Sequence, residues 1–125
     1  MKTILYVEDN PDTAEAVKII LDNAGFSTSL ASCGKDCLKI ISKENFDLIL
    51  LDIMLPDMSG WDVFKKLQKH KIKAKVAFLS ALPVSIERMN ELKKEGVSDY
   101  IMKPFEKEDL ITTVKKILEL SQNQQ

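Results

Sequence analysis

Short apolar runs alternate along the chain with longer segments in which apolar residues recur every three or four positions. The runs at 3–7, 48–51 and 76–79 are almost continuously apolar, which is typical of strands whose sheet is covered by helices on both faces. The run at 26–30 alternates between apolar and polar residues, so we expect it at an edge of the sheet. A fifth run, at 100–102, is the shortest.

The segments between these runs have the periodicity of amphipathic helices. The first predicted helix is 11–24, with Asn10 as its N-cap and Pro11 in its first turn. Gly25 is expected to end it. The other predicted helices are 35–43, 59–70, 85–95 and 106–120. Five strands alternating with five helices indicate a doubly wound α/β domain with a parallel sheet and right-handed crossovers.

Length and composition narrow the class of protein. A chain of 125 residues forms one ordinary domain. We expect this domain over 1–121 and a flexible tail over 122–125. Eighteen basic and nineteen acidic residues give a net charge of -1, and this absence of a basic excess predicts no direct binding to nucleic acid. No apolar run approaches the roughly 20 residues that cross a bilayer, and no signal peptide is apparent, so we expect a cytoplasmic protein without membrane contact.

The chain offers little for a thiol-based metal site. Cys33 and Cys37 are interpreted as small, partly buried thiols in a reducing compartment. A zinc site would need further Cys or His ligands. The one histidine, His70, lies in a lysine-rich segment and is expected to be solvated.

Polar side chains stand where four of the predicted strands end. Glu8 and Asp9 follow the first strand, Asp52 follows the third, Ser80 follows the fourth and Lys103 follows the fifth. Because the carboxyl ends of parallel strands meet at one edge, we expect these groups to converge. Three neighbouring carboxylates repel one another unless a cation lies among them, and oxygen ligands favour Mg²⁺ or a similar ion. A lysine there would pair with a carboxylate or with a bound phosphoryl oxygen.

The pattern argues against nucleotide binding, since neither G-x-x-x-x-G-K-[ST] nor G-x-G-x-x-G occurs in the chain. A carboxylate that accepts a phosphoryl group is a known nucleophile of covalent catalysis. The residues alone therefore suggest a Mg²⁺-assisted aspartyl-phosphate site.

Four segments resemble, in order and spacing, the motifs of response-regulator receiver domains, including the chemotaxis regulator type. They read YVEDN, LDIMLPDMSG, FLSA and YIMKPF, and the key residues Asp9, Asp52, Ser80 and Lys103 are separated by 43, 28 and 23 positions. The resemblance covers essentially the whole chain. It implies a flavodoxin-like sheet in the order 2-1-3-4-5 and a stand-alone receiver domain of a two-component phosphorelay.

The resemblance also implies roles for individual residues. Asp52 corresponds to the phosphoacceptor, and Lys103 to the lysine that contacts the phosphoryl oxygens. Glu8 and Asp9 correspond to the acidic pair that holds Mg²⁺, together with Asp52 and the backbone carbonyl of Met54. The pair is most often Asp-Asp in this family. The longer Glu8 can reach the metal through water, so Asp9 is expected to be the more direct ligand.

The family's switch residues also have counterparts here. Ser80 corresponds to the hydroxyl that binds the phosphoryl group after activation, and Tyr100 to the aromatic residue that turns inward as Ser80 moves. Pro104 corresponds to a proline that often follows a cis peptide bond. Pro56 and Gly60 correspond to the turn after the acceptor strand. Met54 and Leu82 occupy positions that tune the phosphoryl lifetime in the family.

The implied reaction defines the expected partners. A sensor histidine kinase, a phosphotransfer protein or a small phosphodonor would supply the phosphoryl group. The domain would be no conventional enzyme, but it would catalyse its own phosphotransfer and dephosphorylation. A surface around 85–120 would then contact an unknown downstream protein, as a monomer or as a phosphorylation-dependent dimer.

Two other classes of protein remain open at this stage. The first is a receiver fold that serves only as a protein-interaction module. The second is a phosphatase with an aspartate nucleophile, on a related α/β scaffold. Such phosphatases usually have a second Asp two positions after the nucleophile, where this chain has Met54.

Overall fold

The computed structural model describes residues 1–123, and the side chains of residues 1–119. Its ten elements confirm the predicted alternation of strands and helices. The strands are β1 Thr3–Val7, β2 Ser27–Ala31, β3 Leu48–Leu51, β4 Lys75–Ser80 and β5 Val97–Met102. The helices are α1 Pro11–Asn23, α2 Gly34–Ile41, α3 Gly60–Lys69, α4 Ile86–Glu95 and α5 Lys107–Asn123. Two residues of the predicted tail are thus helical, and 124–125 lie outside the described residues.

The strands form one parallel sheet in the order β2-β1-β3-β4-β5. This order confirms the expected doubly wound, flavodoxin-like topology, and the alternating strand β2 lies at an edge as predicted. The predicted start of β5 at residue 100 is wrong, since the strand begins at Val97. Polar Ser98 and Asp99 interrupt the apolar pattern there. Gly96, with φ of 112°, ends α4 directly before the strand.

Local side-chain contacts explain where the helices begin. The Oδ1 atom of Asn10 accepts hydrogen bonds from the backbone nitrogens of Asp12 and Thr13, at 3.0 and 3.1 Å, as expected for the N-cap of α1. Ser59 and Ser85 cap α3 and α4 in the same way. The two helices therefore start one residue later than predicted, because a cap precedes the first helical residue.

The apolar side chains form two cores, one on each side of the sheet. Successive residues of β1 and β3 point to opposite sides, so Leu5 and Ile49 belong to one core while Ile4 and Leu48 belong to the other. Helices α2, α3 and α4 cover the first core, and α1 and α5 cover the second. This double coverage explains why the central strands are apolar at every position.

Both cysteines are free, with Cys37 buried and Cys33 partly buried. Burial, with a smaller contribution from the neighbouring Cys33, raises the pKa of the Cys37 thiol to about 12, so this thiol is a packing group. Within residues 1–123, none of the helices is both long enough and apolar enough to span a membrane.

Candidate functional site

The carboxyl ends of the strands bring three carboxylates to one edge of the sheet. Oxygen atoms of Glu8, Asp9 and Asp52 all lie within 4.8 Å of one another. Lys103, which directly follows β5, reaches the same edge, and its Nζ atom contacts Glu8 Oε1 and Asp52 Oδ2, the latter at 3.2 Å. Residues that are distant in the sequence thus form one compact charged cluster.

The carboxylate of Asp52 is held by one partner on each oxygen. The backbone nitrogen of Asp52 donates to the carbonyl of Val7 at 3.1 Å, and this hydrogen bond continues the pairing of β3 with β1 past the end of the strand. The Oδ1 atom accepts from the backbone nitrogen of Met54 at 3.1 Å, and Oδ2 accepts from Lys103. The side chain is 8% exposed, so Asp52 is fixed in place but still accessible from the edge.

The two members of the acidic pair differ in burial. Glu8 has a side-chain exposure of 3%, whereas Asp9 is exposed. A cleft of about 600 Å³ between α1, the end of β2 and α2 opens onto both residues. Water and ions can therefore reach the exposed carboxylate of Asp9 directly, while Glu8 is part of the interior.

Tyr6 is a residue of this site that sequence reasoning missed, because it lies within the apolar run of β1. It is fully buried, and its hydroxyl group donates to Glu8 Oε1 at 2.8 Å. Burial, and then the negative charge of Glu8, raise the pKa of the Tyr6 phenol, so the phenol remains a hydrogen-bond donor. The signal that could have found it is its spacing, since residues two apart in a strand share one face.

Lys103 is held at the site through its backbone and its ammonium group. Its backbone nitrogen donates to the carbonyl of Ser80 at 2.9 Å, and its peptide bond to Pro104 is cis, as the resemblance implied. Burial alone would lower the pKa of the ammonium group. The hydrogen bond to Glu8 and the charge of Asp52 outweigh burial, so the pKa of Lys103 is raised and the group stays positive.

Ser80 and Tyr100 both contact Leu82, in the loop between β4 and α4. The backbone nitrogen of Leu82 donates to Ser80 Oγ at 3.3 Å, and the carbonyl oxygen of Leu82 accepts from the hydroxyl of Tyr100. Ser80 is fully buried and Tyr100 is 6% exposed. Burial raises the pKa of the Tyr100 phenol despite the opposing effect of Ser80. One loop residue thus connects the two predicted switch residues.

The loop between β3 and α3 folds back onto Asp52. A Cβ atom at Gly60 would lie 2.4 Å from the carbonyl oxygen of Asp52, so only glycine fits at the start of α3. Farther along the loop, the carboxylate of Asp57 accepts from the backbone nitrogens of Lys35 and Gly34, at 2.8 and 2.9 Å. These hydrogen bonds lower the pKa of Asp57 and anchor the loop to the first turn of α2.

The donor set of the cluster fits a hard divalent cation. Its three side chains offer carboxylate oxygens, without a thiol or an imidazole. Mg²⁺ prefers such ligands and keeps several water molecules when it binds. The exposure of Asp9 leaves room for those waters, and the buried Glu8 and Asp52 supply negative charge behind them.

Known proteins with the same sequence pattern place the chain in a family. A sequence model of the response regulator receiver domain matches residues 4–115. The transcriptional regulatory protein DltR of Streptococcus agalactiae is 38% identical over 112 residues, which are 90% of this chain and 50% of DltR. This chain therefore spans about half the length of the curated relatives that it matches.

Solved structures agree with this match over nearly the whole chain. The receiver domain of the Francisella response regulator 1452 is 33% identical, with a TM-score of 0.88 and coverage of 97% of this chain and 99% of that one. The response regulator TrrA of Thermotoga maritima, solved in complex with Mg²⁺-BeF, is 34% identical, with a TM-score of 0.81 and coverage of 94% and 100%. The chain belongs to the response regulator receiver domain family.

Proposed function

We propose that this receiver domain accepts a phosphoryl group on Asp52 in a Mg²⁺-dependent reaction, and that phosphorylation changes a protein-interaction surface. The observation that carries the proposal is the set of contacts around Asp52. One carboxylate oxygen accepts from a backbone nitrogen, the other faces Lys103, and two further carboxylates lie within 4.8 Å. The Mg²⁺-BeF complex of the similar protein TrrA adds support for a magnesium ion at this edge.

Transfer requires an oxygen nucleophile and compensation of negative charge. A carboxylate oxygen of Asp52 forms a bond to phosphorus while the bond between phosphorus and the donor's imidazole nitrogen breaks, and the electron pair leaves with the imidazole. When bound by Glu8, Asp9, Asp52 and the carbonyl of Met54, Mg²⁺ offsets the charge of the phosphoryl oxygens. Lys103 offers a second positive charge, which its contacts already direct at Asp52.

The partners follow from this chemistry. The donor is a phosphohistidine of a sensor histidine kinase or a phosphotransfer protein, or a small acyl phosphate. Attack of water on the phosphorus later releases inorganic phosphate and restores the carboxylate of Asp52. The domain thus promotes both its own phosphorylation and its reset.

The loop at Leu82 is positioned to respond to the new group. A phosphoryl group adds roughly one to two negative charges and strong hydrogen-bond acceptors beside Ser80. If the Ser80 side chain rotates so that its hydroxyl donates to a phosphoryl oxygen, Oγ moves away from the backbone nitrogen of Leu82 and the hydrogen bond that it accepts there is lost. Tyr100 donates a hydrogen bond to the carbonyl of Leu82, so it then rearranges with the loop. The affected surface carries the exposed side chains of Ile86 and Met102, which are suited to contact a downstream protein or a second copy.

Intact-protein mass spectrometry tests the proposal directly. After incubation with acetyl phosphate and Mg²⁺, the wild type should gain a single phosphoryl adduct that is stable in acid and labile in base. The adduct should be lost in Asp52→Asn and in the presence of EDTA. Asp62→Asn is the matched control, because Asp62 is an exposed aspartate of α3, and it should keep the adduct.

Three results would contradict the proposal. The first is an adduct that persists in Asp52→Asn, which would move the acceptor to another residue. The second is a folded protein that gains no adduct from acetyl phosphate or from a phosphohistidine donor, which would favour an interaction module. Turnover of small phosphomonoesters would instead indicate a phosphatase.

A further inference from the structure

The hydrogen bond between Tyr6 and Glu8 suggests a role for a residue outside the motifs of the site. Tyr6 and Glu8 lie two positions apart at the end of β1, so their side chains are on the same side of the sheet. The hydroxyl of Tyr6 donates to Glu8 Oε1 at 2.8 Å, and the tyrosine itself is fully buried in the core below α1 and α5. The inference that follows rests on the proposed Mg²⁺ site.

Glu8 is a buried carboxylate that depends on three donors. Its Oε1 atom accepts from Tyr6 and from Lys103 Nζ, and its Oε2 atom accepts from the backbone nitrogen of Asn10 at 3.2 Å. A buried carboxylate that loses its donors is strongly destabilised. The Tyr6 and Asn10 donors are fixed by the core and by the backbone, whereas Lys103 lies at the end of a flexible side chain.

In the proposed reaction, the ammonium group of Lys103 moves away from Glu8. When Lys103 turns to a phosphoryl oxygen, Tyr6 and Asn10 still hold one oxygen of Glu8 each. The carboxylate then keeps its position beside Asp9 and Asp52. Without the Tyr6 hydroxyl, Glu8 would depend on Lys103 for its orientation, and this ion pair would compete with metal binding.

We infer that Tyr6 is a positioning residue, which orients Glu8 for Mg²⁺ through the hydrogen bond between their side chains. Groups that orient metal ligands in this way typically change metal affinity by about 10-fold or more when removed. The inference also gives the longer acidic residue of this chain a reason. Glu8 reaches back to the phenol, and an aspartate would be shorter by one carbon–carbon bond, about 1.5 Å.

The test is a cycle of Mg²⁺ titrations by isothermal calorimetry, without a phosphodonor. The proteins are the wild type, Tyr6→Phe, Glu8→Asp and the double variant. Tyr6→Phe should raise the Kd for Mg²⁺ about 10-fold. In the Glu8→Asp background, the carboxylate no longer reaches the phenol, so the same change should alter the Kd by less than about 2-fold.

Thr28→Val is the matched control for loss of a buried hydroxyl. Thr28 lies on the neighbouring strand β2, and its hydroxyl is buried without a partner among the described residues, so the Kd for Mg²⁺ should not change. If Tyr6→Phe lowers the melting temperature but leaves the Kd unchanged, the tyrosine has only a structural role and the inference is wrong. An equal effect of Tyr6→Phe in both backgrounds would overturn it as well.

A second measurement needs no variant that alters the site. The chain has two tyrosines, so wild-type protein labelled at the tyrosine Cζ carbon gives two NMR signals, one each for Tyr6 and Tyr100. The Tyr6 signal should shift with Mg²⁺ at the Kd that calorimetry gives. If Mg²⁺ binds and the Tyr6 signal does not respond, the inference about Tyr6 is wrong, while the proposed metal site is unaffected. Absence of Mg²⁺ binding to the wild type, or binding that survives Asp9→Asn unchanged, would overturn the proposed metal site and this inference with it.

Discussion

Helices α3 and α4 have ten residues each and pack on the same side of the sheet, but they are attached to the domain in different ways. Helix α3 buries four residues: Gly60, Val63, Phe64 and Leu67. Within its described residues 86–95, α4 buries Leu92 alone. The first turn of α3 lies against the backbone of Asp52, whereas Ile86 in the first turn of α4 is 78% exposed.

Polar contacts replace apolar burial in α4. The guanidinium group of Arg88 lies 5.2 Å from the ring centroid of Trp61 in α3, and the side chain of Gln68 in α3 donates to the carbonyl of Glu95. Such contacts contribute roughly 1 kcal/mol each, less than a well-buried side chain. This difference in burial suits the two helices to different roles. Helix α3 fixes the position of the backbone at Asp52. Helix α4 lies next to the Ser80–Leu82–Tyr100 contacts and can move with little loss of stability.

The largest expected effect is in the buried face of α3. Phe64→Ala should lower the free energy of unfolding by about 4 kcal/mol, because it removes a buried ring that packs edge-on against Phe78. Urea unfolding followed by circular dichroism measures this change. Ile86→Ala in α4 is the exposed control and should change the stability by less than about 0.5 kcal/mol. Similar losses for the two variants would remove the contrast between the helices.

The next effect concerns the single buried side chain of α4. Leu92→Ala should lower the free energy of unfolding by about 2–3 kcal/mol, near the lower end for such a truncation. The other side chains of α4 are at most partly buried, so the helix can shift and fill part of the cavity. Hydrogen exchange with mass spectrometry should show that Leu92→Ala, compared with the wild type, accelerates exchange of the α4 amides more than exchange of the α3 amides. Equal acceleration in both helices would mean that α3 and α4 open as one unit.

A smaller effect is expected for the cation over the indole ring. Arg88→Ala should lower the free energy of unfolding by about 0.5–1 kcal/mol, since the guanidinium group is partly exposed. Trp61 is the one tryptophan of the sequence, so its fluorescence reports this contact directly and should shift to longer wavelength as water replaces the cation. Lys94→Ala, on the exposed side of the same helix, should leave the spectrum unchanged. An unchanged spectrum for Arg88→Ala would mean that the contact is not formed in solution.

An effect of comparable size, about 1 kcal/mol or less, comes from how the two helices end. Lys71 follows α3 with a positive φ of 54°, while α4 ends at Gly96 with φ of 112°. Lys71→Gly should therefore raise the free energy of unfolding by about 0.5–1 kcal/mol, since glycine adopts this conformation without strain. Gly96→Ala should lower the free energy of unfolding by about 1 kcal/mol. Backbone strain at the positive φ is the cause, since a Cβ atom there would meet no atom closer than 3.7 Å and therefore would not clash. Thermal unfolding of both variants measures these shifts, and destabilisation by Lys71→Gly would contradict the strain argument.

The sequence predicted the fold because its signals are local. Runs of apolar residues, the cap at Asn10 and the glycines after helices act over a few positions. The errors arose where a local signal was weak. Polar Ser98 and Asp99 hid the first half of β5, because that part of the strand is only partly buried.

The set of charged residues that meet at this edge was also predictable from the sequence. Charged residues that directly follow apolar runs must meet at one edge of a parallel sheet, whatever the details of packing. This geometry brought Asp52, Asp9 and Lys103 into one hypothesis before any distance was known.

Only the tertiary structure decided how these residues are held. It buried Glu8 while leaving Asp9 exposed, and it placed the Tyr6 hydroxyl on Glu8. It joined Asp57 to the start of α2 and Lys103 to Glu8, across 23 and 95 positions of the chain. Sequence periodicity specifies the face on which a side chain lies, but burial and hydrogen bonding depend on neighbours that distant segments supply.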